Sequence, residues 1–131
     1  MKKLMRKVLA ASALAVLGTA LVAAPAQAGT TGSACSKASG SYKFCAASVV
    51  FMDEGEKFYI YDNEADGAGA FVYWYKAGVA QGSIYWGGGA GTYHVFDRSA
   101  PEGVTVRFYV CVETNDHVPV GTCSADVYAT A

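Results

Sequence analysis

Asp62, Glu64 and Asp66 stand at every second position of "YDNEADGAGAFVYWY" (Tyr61–Tyr75), and Gly67 follows directly. Alternating carboxylates ahead of a glycine imitate the first half of an EF-hand calcium loop. Such a loop closes with a bidentate Glu at its twelfth position, and the twelfth residue counted from Asp62 is Tyr73. Strand-like residues, not helical ones, flank the stretch. Acidic residues with Gly are also the ordinary means of turning a chain between strands, so the sequence points to a solvated turn and no metal site.

The other residues able to do chemistry are sparse. His94 lies in "TYHVF" and His117 in "NDHVPVG", and both read as isolated surface or half-buried side chains. No Ser-His-Asp or Cys-His set can be assembled, so the expectation is a protein without catalytic residues and without a cofactor. "WGGGAGTY" (Trp86–Tyr93) is glycine-rich, but it joins two strands, whereas a phosphate-binding loop opens a helix. It reads as a flexible hairpin connection. "DRSAPEG", with Pro101, is the stiffer loop and the better candidate for an inhibitor's reactive segment.

Met1 to Ala28 has the form of a secretory signal: Lys2, Lys3, Arg6 and Lys7, then "VLAASALAVLGTALVAA", then "AQA" at Ala26–Ala28. No twin-arginine pair is present, which suggests general bacterial export. The remaining 103 residues hold all 11 acidic residues and 6 of the 10 basic ones, a net charge near −5. That balance argues against nucleic acid and against anionic membrane surfaces, which need clustered Lys and Arg.

Cys35, Cys45, Cys111 and Cys123 all lie in the exported part, an even number suited to an oxidising compartment. Three pairings are open. Cys35–Cys45 and Cys111–Cys123 are favoured because each pair is close in sequence and flanked by strand-like residues. A zinc site would want closer spacing, and no CxxC redox pair is present.

The elements that must position these residues are strands. Short runs rich in Val, Tyr, Phe and Ile recur near 42–52, 57–62, 69–76, 82–87, 92–97, 103–112 and 122–128, separated by Gly, Asp, Asn and Pro. About seven short strands predict an all-β protein, an antiparallel, immunoglobulin-like β-sandwich stapled by two disulfides. Residues 29–40 are small and polar and predict a flexible lead-in; 41–131 form the single domain.

"VTVRFYVCV" places Val104, Val106, Phe108, Val110 and Val112 on one face, with Thr105, Arg107, Tyr109 and Cys111 on the other. The first face must be the core. Applied to the neighbouring runs, the same rule turns Phe58, Ile60, Val72 and Trp74 inward. It turns Tyr59, Tyr61, Tyr73, Tyr75, Tyr85 and Tyr109 outward. Six outward tyrosines exceed what a small domain needs and suggest a docking face. The expected occupant is another secreted or surface protein.

Whole segments also carry a resemblance. "FYIYDNEADGAGAFVYWY", "APEGVTVRFYVCV" and the closing "GTCSADVY" together resemble a group of small secreted β-sandwich proteins of Streptomyces and related actinobacteria. The resemblance spans roughly residues 57–128 and rests on turn, core and disulfide residues. It implies that Asp62, Asp66 and Gly67 form a structural turn and that Cys111 pairs with Cys123. It supplies no catalytic residues. The function expected from the sequence is therefore a non-catalytic accessory or adaptor module. The alternatives are a secreted inhibitor of a foreign hydrolase or antimicrobial factor, and a cell-surface or spore-coat component.

Overall fold

The computed structural model describes residues 28–114, 116 and 121–131. The signal segment up to residue 27 and His117 lie outside the described residues. Eight strands make two antiparallel four-stranded sheets. The first sheet has the order β1 (Gly32–Cys35), β2 (Ala47–Met52), β3 (Lys57–Asp62), β6 (Thr92–Asp97). The second has the order β5 (Val79–Trp86), β4 (Gly69–Lys76), β7 (Thr105–Glu113), β8 (Val127–Thr130).

The sandwich is the expected one. Its connectivity is not that of an immunoglobulin domain, which pairs its second strand with its fifth; here β2 and β3 form a hairpin. The likeness is one of architecture.

Period-two alternation builds the core. Phe58 and Ile60 from β3, Val49 and Phe51 from β2, Val72 and Trp74 from β4, and Val106, Phe108, Val110 and Val112 from β7 are all buried. Four aromatic rings close the centre around Phe58. Its ring centroid lies 5.0 Å from Phe51, 5.4 Å from Trp74 and 5.6 Å from Phe108, each pair tilted or edge-on. Those geometries are the favourable ones for ring quadrupoles. The β4–β5 hairpin turns on Ala77 and Gly78, at φ 48° and 79°. Two successive left-handed residues give the turn whose twist matches the strands, at some cost for the alanine.

Both favoured disulfides are formed, Cys35–Cys45 and Cys111–Cys123. β5 begins at Val79, ahead of the expected 82, and three further stretches differ from expectation. The stretch 29–40, expected to be flexible, supplies β1, because Gly32 is small enough to lie over Phe108 and Val127 and Ala34 packs on the core while the backbone pairs with β2. Residues 42–46 are a loop, not the start of β2. Cys45 takes φ 61°, its N–H donates to the Ser36 carbonyl at 2.9 Å, and its disulfide holds that bend.

Residues 122–126 run beside β7 without forming a strand. The Thr122 hydroxyl accepts from the Val112 N–H at 2.8 Å and donates to the Val112 carbonyl at 3.0 Å. The Ser124 hydroxyl accepts from the Val110 N–H at 3.1 Å. The Ser124 N–H adds one backbone bond, to the Val110 carbonyl at 2.9 Å, while the other bonds to β7 run through the two hydroxyls, and β8 begins only at Val127.

Candidate functional site

The alternation that fills the core sends the tyrosines out on both sides of the sandwich. Tyr73, Tyr75, Tyr85 and Tyr109 lie on the outer face of the second sheet, Tyr59 and Tyr61 on the outer face of the first. The six do not form the single aromatic face expected from the sequence, because β3 and β4 belong to different sheets.

On the second sheet the rings are engaged with one another and with their neighbours. Tyr73 and Tyr109 are cross-strand partners, stacked at 5.2 Å with an 18° tilt. The Tyr73 hydroxyl donates to Glu113 Oε1 at 2.6 Å. The Arg107 guanidinium lies 3.6 Å from the Tyr75 ring centre and donates to Asp126 Oδ2 at 3.0 Å. Tyr85 covers Phe71 at 4.6 Å, which explains why the outward-facing Phe71 is buried.

Burial, followed by the hydrogen bond and charge of Glu113, pushes the Tyr73 hydroxyl above the ordinary tyrosine range. Burial does the same to Tyr109, aided by Tyr75. A phenol with a raised native pKa contributes stability that is complete below about pH 10 and is lost as pH climbs toward the native value. Equilibrium unfolding between pH 8 and pH 11 should therefore show a fall in stability above about pH 10. Its slope should reach at most about 1.4 kcal/mol per pH unit for Tyr73. Tyr73→Phe should flatten that fall while costing about 1–3 kcal/mol at neutral pH, since Glu113 loses a buried donor. An unchanged slope in the variant would remove Tyr73 as its source.

The first sheet differs. Register places Tyr61 opposite Tyr93 and Tyr59 opposite Val95. The three rings form a row, with Tyr93 lying 5.2 Å from Tyr61 and 6.3 Å from Tyr59. Val50, Met52 and Val95 border the row, and Tyr93 is 55% exposed. None of these three hydroxyls has a hydrogen-bond partner among the described residues. Tyr93 was not singled out by the sequence reading; "TYHVF" does place it on one face with Val95, but only the pairing of β6 with β3 brings it beside Tyr59 and Tyr61.

His94 falls on the opposite side of β6, turned toward the other sheet at the open edge of the sandwich. It stacks on Trp86 at 5.0 Å and meets Phe96 edge-on at 4.7 Å.

The acidic and the glycine-rich loops converge at one end of the sandwich. The β3–β4 connection and the β5–β6 connection border a cleft of about 280 Å3. The three alternating carboxylates are committed separately. Asp62, only 4% exposed, accepts the Gly89 N–H on Oδ2 at 3.1 Å. Asp66 Oδ1 accepts the Ala68 N–H at 3.0 Å, the expected turn. Glu64 pairs with Lys43 at 3.2 Å. Desolvation raises the Asp62 pKa, opposed by the Gly89 and Glu64 N–H groups and aided by Asp66. Among the described residues no three His, Cys, Asp or Glu side chains stand close enough to share a metal ion.

Fold and surface together define a disulfide-stapled antiparallel β-sandwich with an aromatic row on one outer face. No family model matches the chain, and no curated protein or solved structure matches it.

Proposed function

We propose that the chain is a non-catalytic, exported binding module that docks a protein partner on the outer face of the first sheet, as an accessory or adaptor subunit. The observation that carries this reading is the row Tyr59–Tyr93–Tyr61 with its border of Val50, Met52 and Val95. Tyrosine offers large contact area at low rotamer cost, and its hydroxyl can bond across an interface. The four tyrosines of the second sheet fit the role less well, since their rings and Tyr73's hydroxyl already serve intramolecular contacts. Two disulfides support an oxidising destination.

Immobilised mature protein should retain a partner from culture supernatant that a Tyr59→Ala/Tyr93→Ala variant loses, by at least about thirtyfold in affinity if the row is the hot spot. A Tyr75→Ala variant on the opposite face should still retain it. Equal retention by the double variant, with its fold intact by circular dichroism, would refute the assignment.

One observation favours the inhibitor alternative as second reading. The loop holding Pro101 is tied at several points: Arg98 N–H to the Glu56 carbonyl at 3.0 Å, Val104 N–H to the Pro101 carbonyl at 3.2 Å, and Gly103 N–H to the Ala131 carbonyl at 2.7 Å. A loop already ordered loses little on binding. Inhibition of a panel of proteases and amylases tests it, and a blank panel removes it.

A further inference from the structure

We propose that β6 is a self-association edge: it pairs antiparallel with β6 of a second copy of this chain, about a two-fold axis at His94. The pairing goes beyond the docking row and does not rest on it. Among the described residues the other sheet margins are closed or blunted. β1 and β8 are bridged, the Thr30 N–H donating to the Thr130 carbonyl and the Thr130 N–H to Thr30 Oγ1, both at 2.9 Å. β5 carries a bulge opposite Trp74 and Tyr75, and Gln81 Nε2 donates to its Val79 carbonyl at 3.0 Å. β6 has none of these devices. It pairs with β3 in unbroken register from Thr92 to Asp97, holds no proline or lysine, and carries its carboxylate at the very end.

The Arg98 N–H donates to the Glu56 carbonyl at 3.0 Å, which sets the phase of the β3–β6 ladder. His94 and Phe96 therefore bond to β3, and the N–H and C=O groups of Tyr93 and Val95 face away from it. Those groups have no partner among the described residues. The Asp97 carbonyl points the same way but is taken by Arg98 Nη1 at 2.8 Å. Pairing about His94 sets Tyr93 of each copy opposite Val95 of the other. Every free N–H and C=O of both residues is then used, and the Asp97 carbonyl stays with Arg98.

The side chains suit the same register. On the outer face each Tyr93 meets a Val95, an aromatic–β-branched pair of the kind that stabilises sheets. The line Tyr59–Val95 of one copy thereby continues into Tyr93–Tyr61 of the other. On the inner face His94 is exposed although it points toward the second sheet, because β5 lies over β3 and β6 projects past it. There it meets the second copy's His94, and Thr92 meets the second copy's Phe96. The two Asp97 carboxylates end about 20 Å apart at strand spacing, beyond the reach of their repulsion in salt. A strand from another protein would need this alternation; the second copy already has it.

One strand pair is at the low end of protein interfaces, so the dimer is weak and concentration-dependent. Sedimentation equilibrium of the mature protein at neutral pH, from about 1 μM to about 1 mM, should show the mass rising from one chain toward two. Hydrogen exchange at the Tyr93 and Val95 amides should slow over the same range, while the ladder-bonded His94 and Phe96 amides stay unchanged. Val95→Pro removes an N–H that β3 does not use, and should weaken association at least about tenfold. Val95→Lys, which keeps every backbone group, should weaken it too, and Val79→Lys on β5 should not. Unchanged amide positions at Phe58 and Val110 certify the fold of each variant. A single chain at every concentration overturns the proposal. So does a dimer whose Tyr93 and Val95 amides exchange as fast as in the monomer, the sign of face-to-face contact through the tyrosine row. Undiminished association of Val95→Pro also overturns it. Partner capture on the row and self-association on the edge are read separately, so either can fail alone.

Discussion

Phe58→Ala should cost about 3–5 kcal/mol of unfolding free energy. Phe58 is fully buried, and its ring touches Phe51, Trp74 and Phe108, so residues from β2, β4 and β7 all lose a partner at once. The cavity cannot collapse easily, because the three rings around it are set by strand registers on two different sheets. Native stabilities of small domains are about 5–15 kcal/mol, so this one change removes a large share. Urea unfolding followed by tryptophan fluorescence reports it, with Trp74 as a direct neighbour of the cavity. A loss below about 1 kcal/mol would mean that the aromatic centre is not packed as described.

Removing the Cys111–Cys123 cross-link should cost about 2–5 kcal/mol. The bond closes a loop with a sequence separation of 12, for which chain entropy alone gives about 3 kcal/mol. A second contribution comes from position. Cys111 is fully buried, and its partner holds the segment whose Thr122 and Ser124 hydroxyls satisfy the N–H groups of Val112 and Val110. Without the bond that segment can leave, exposing part of a central strand. The Cys111→Ala/Cys123→Ala variant should therefore show a lower urea midpoint and faster hydrogen exchange at Val110 and Val112. Exchange unchanged at those two amides would mean that the hydroxyls hold the segment unaided. Cys35–Cys45 closes a loop of similar size near the surface, and its loss should release β1 with less effect on the core.

Much of this could be read from the residues in order. The alternation in "VTVRFYVCV" assigned core and outer faces of β7 correctly, and strands at 57–62, 69–76 and 92–97 coincide with β3, β4 and β6. Alternation is local, so it is visible in one segment. The pairing of disulfides followed from the same local logic. What escaped was non-local. Which sheet each strand joins decides whether Tyr59 and Tyr73 share a surface, and nothing within either strand encodes that.

The row on the first sheet needed Tyr93, whose neighbours come from more than 30 residues upstream. β1 was missed because Gly32, Ser33 and Ala34 have weak strand propensity, and tertiary fit to Phe108 and Val127 overrides it. The stretch 122–126 lies beside β7 as a strand would, but its hydroxyls take most of the bonds and only the Ser124 N–H joins the backbone ladder. The acidic and glycine-rich loops were each judged alone, and only folding sets them face to face.

The hydroxyl-mediated stretch beside β7 has a consequence for self-assembly. A free sheet margin with regularly repeating donors and acceptors is a template on which a foreign or identical chain can polymerise. At Thr122 and Ser124 that regularity is broken. The margin is occupied by a non-repeating tether, bolted on through sulfur, and a polymerising strand would find no matching comb of amides. Along this flank the Thr122 carbonyl is also occupied, by the Lys37 N–H at 2.7 Å, so the row open to an added strand is interrupted.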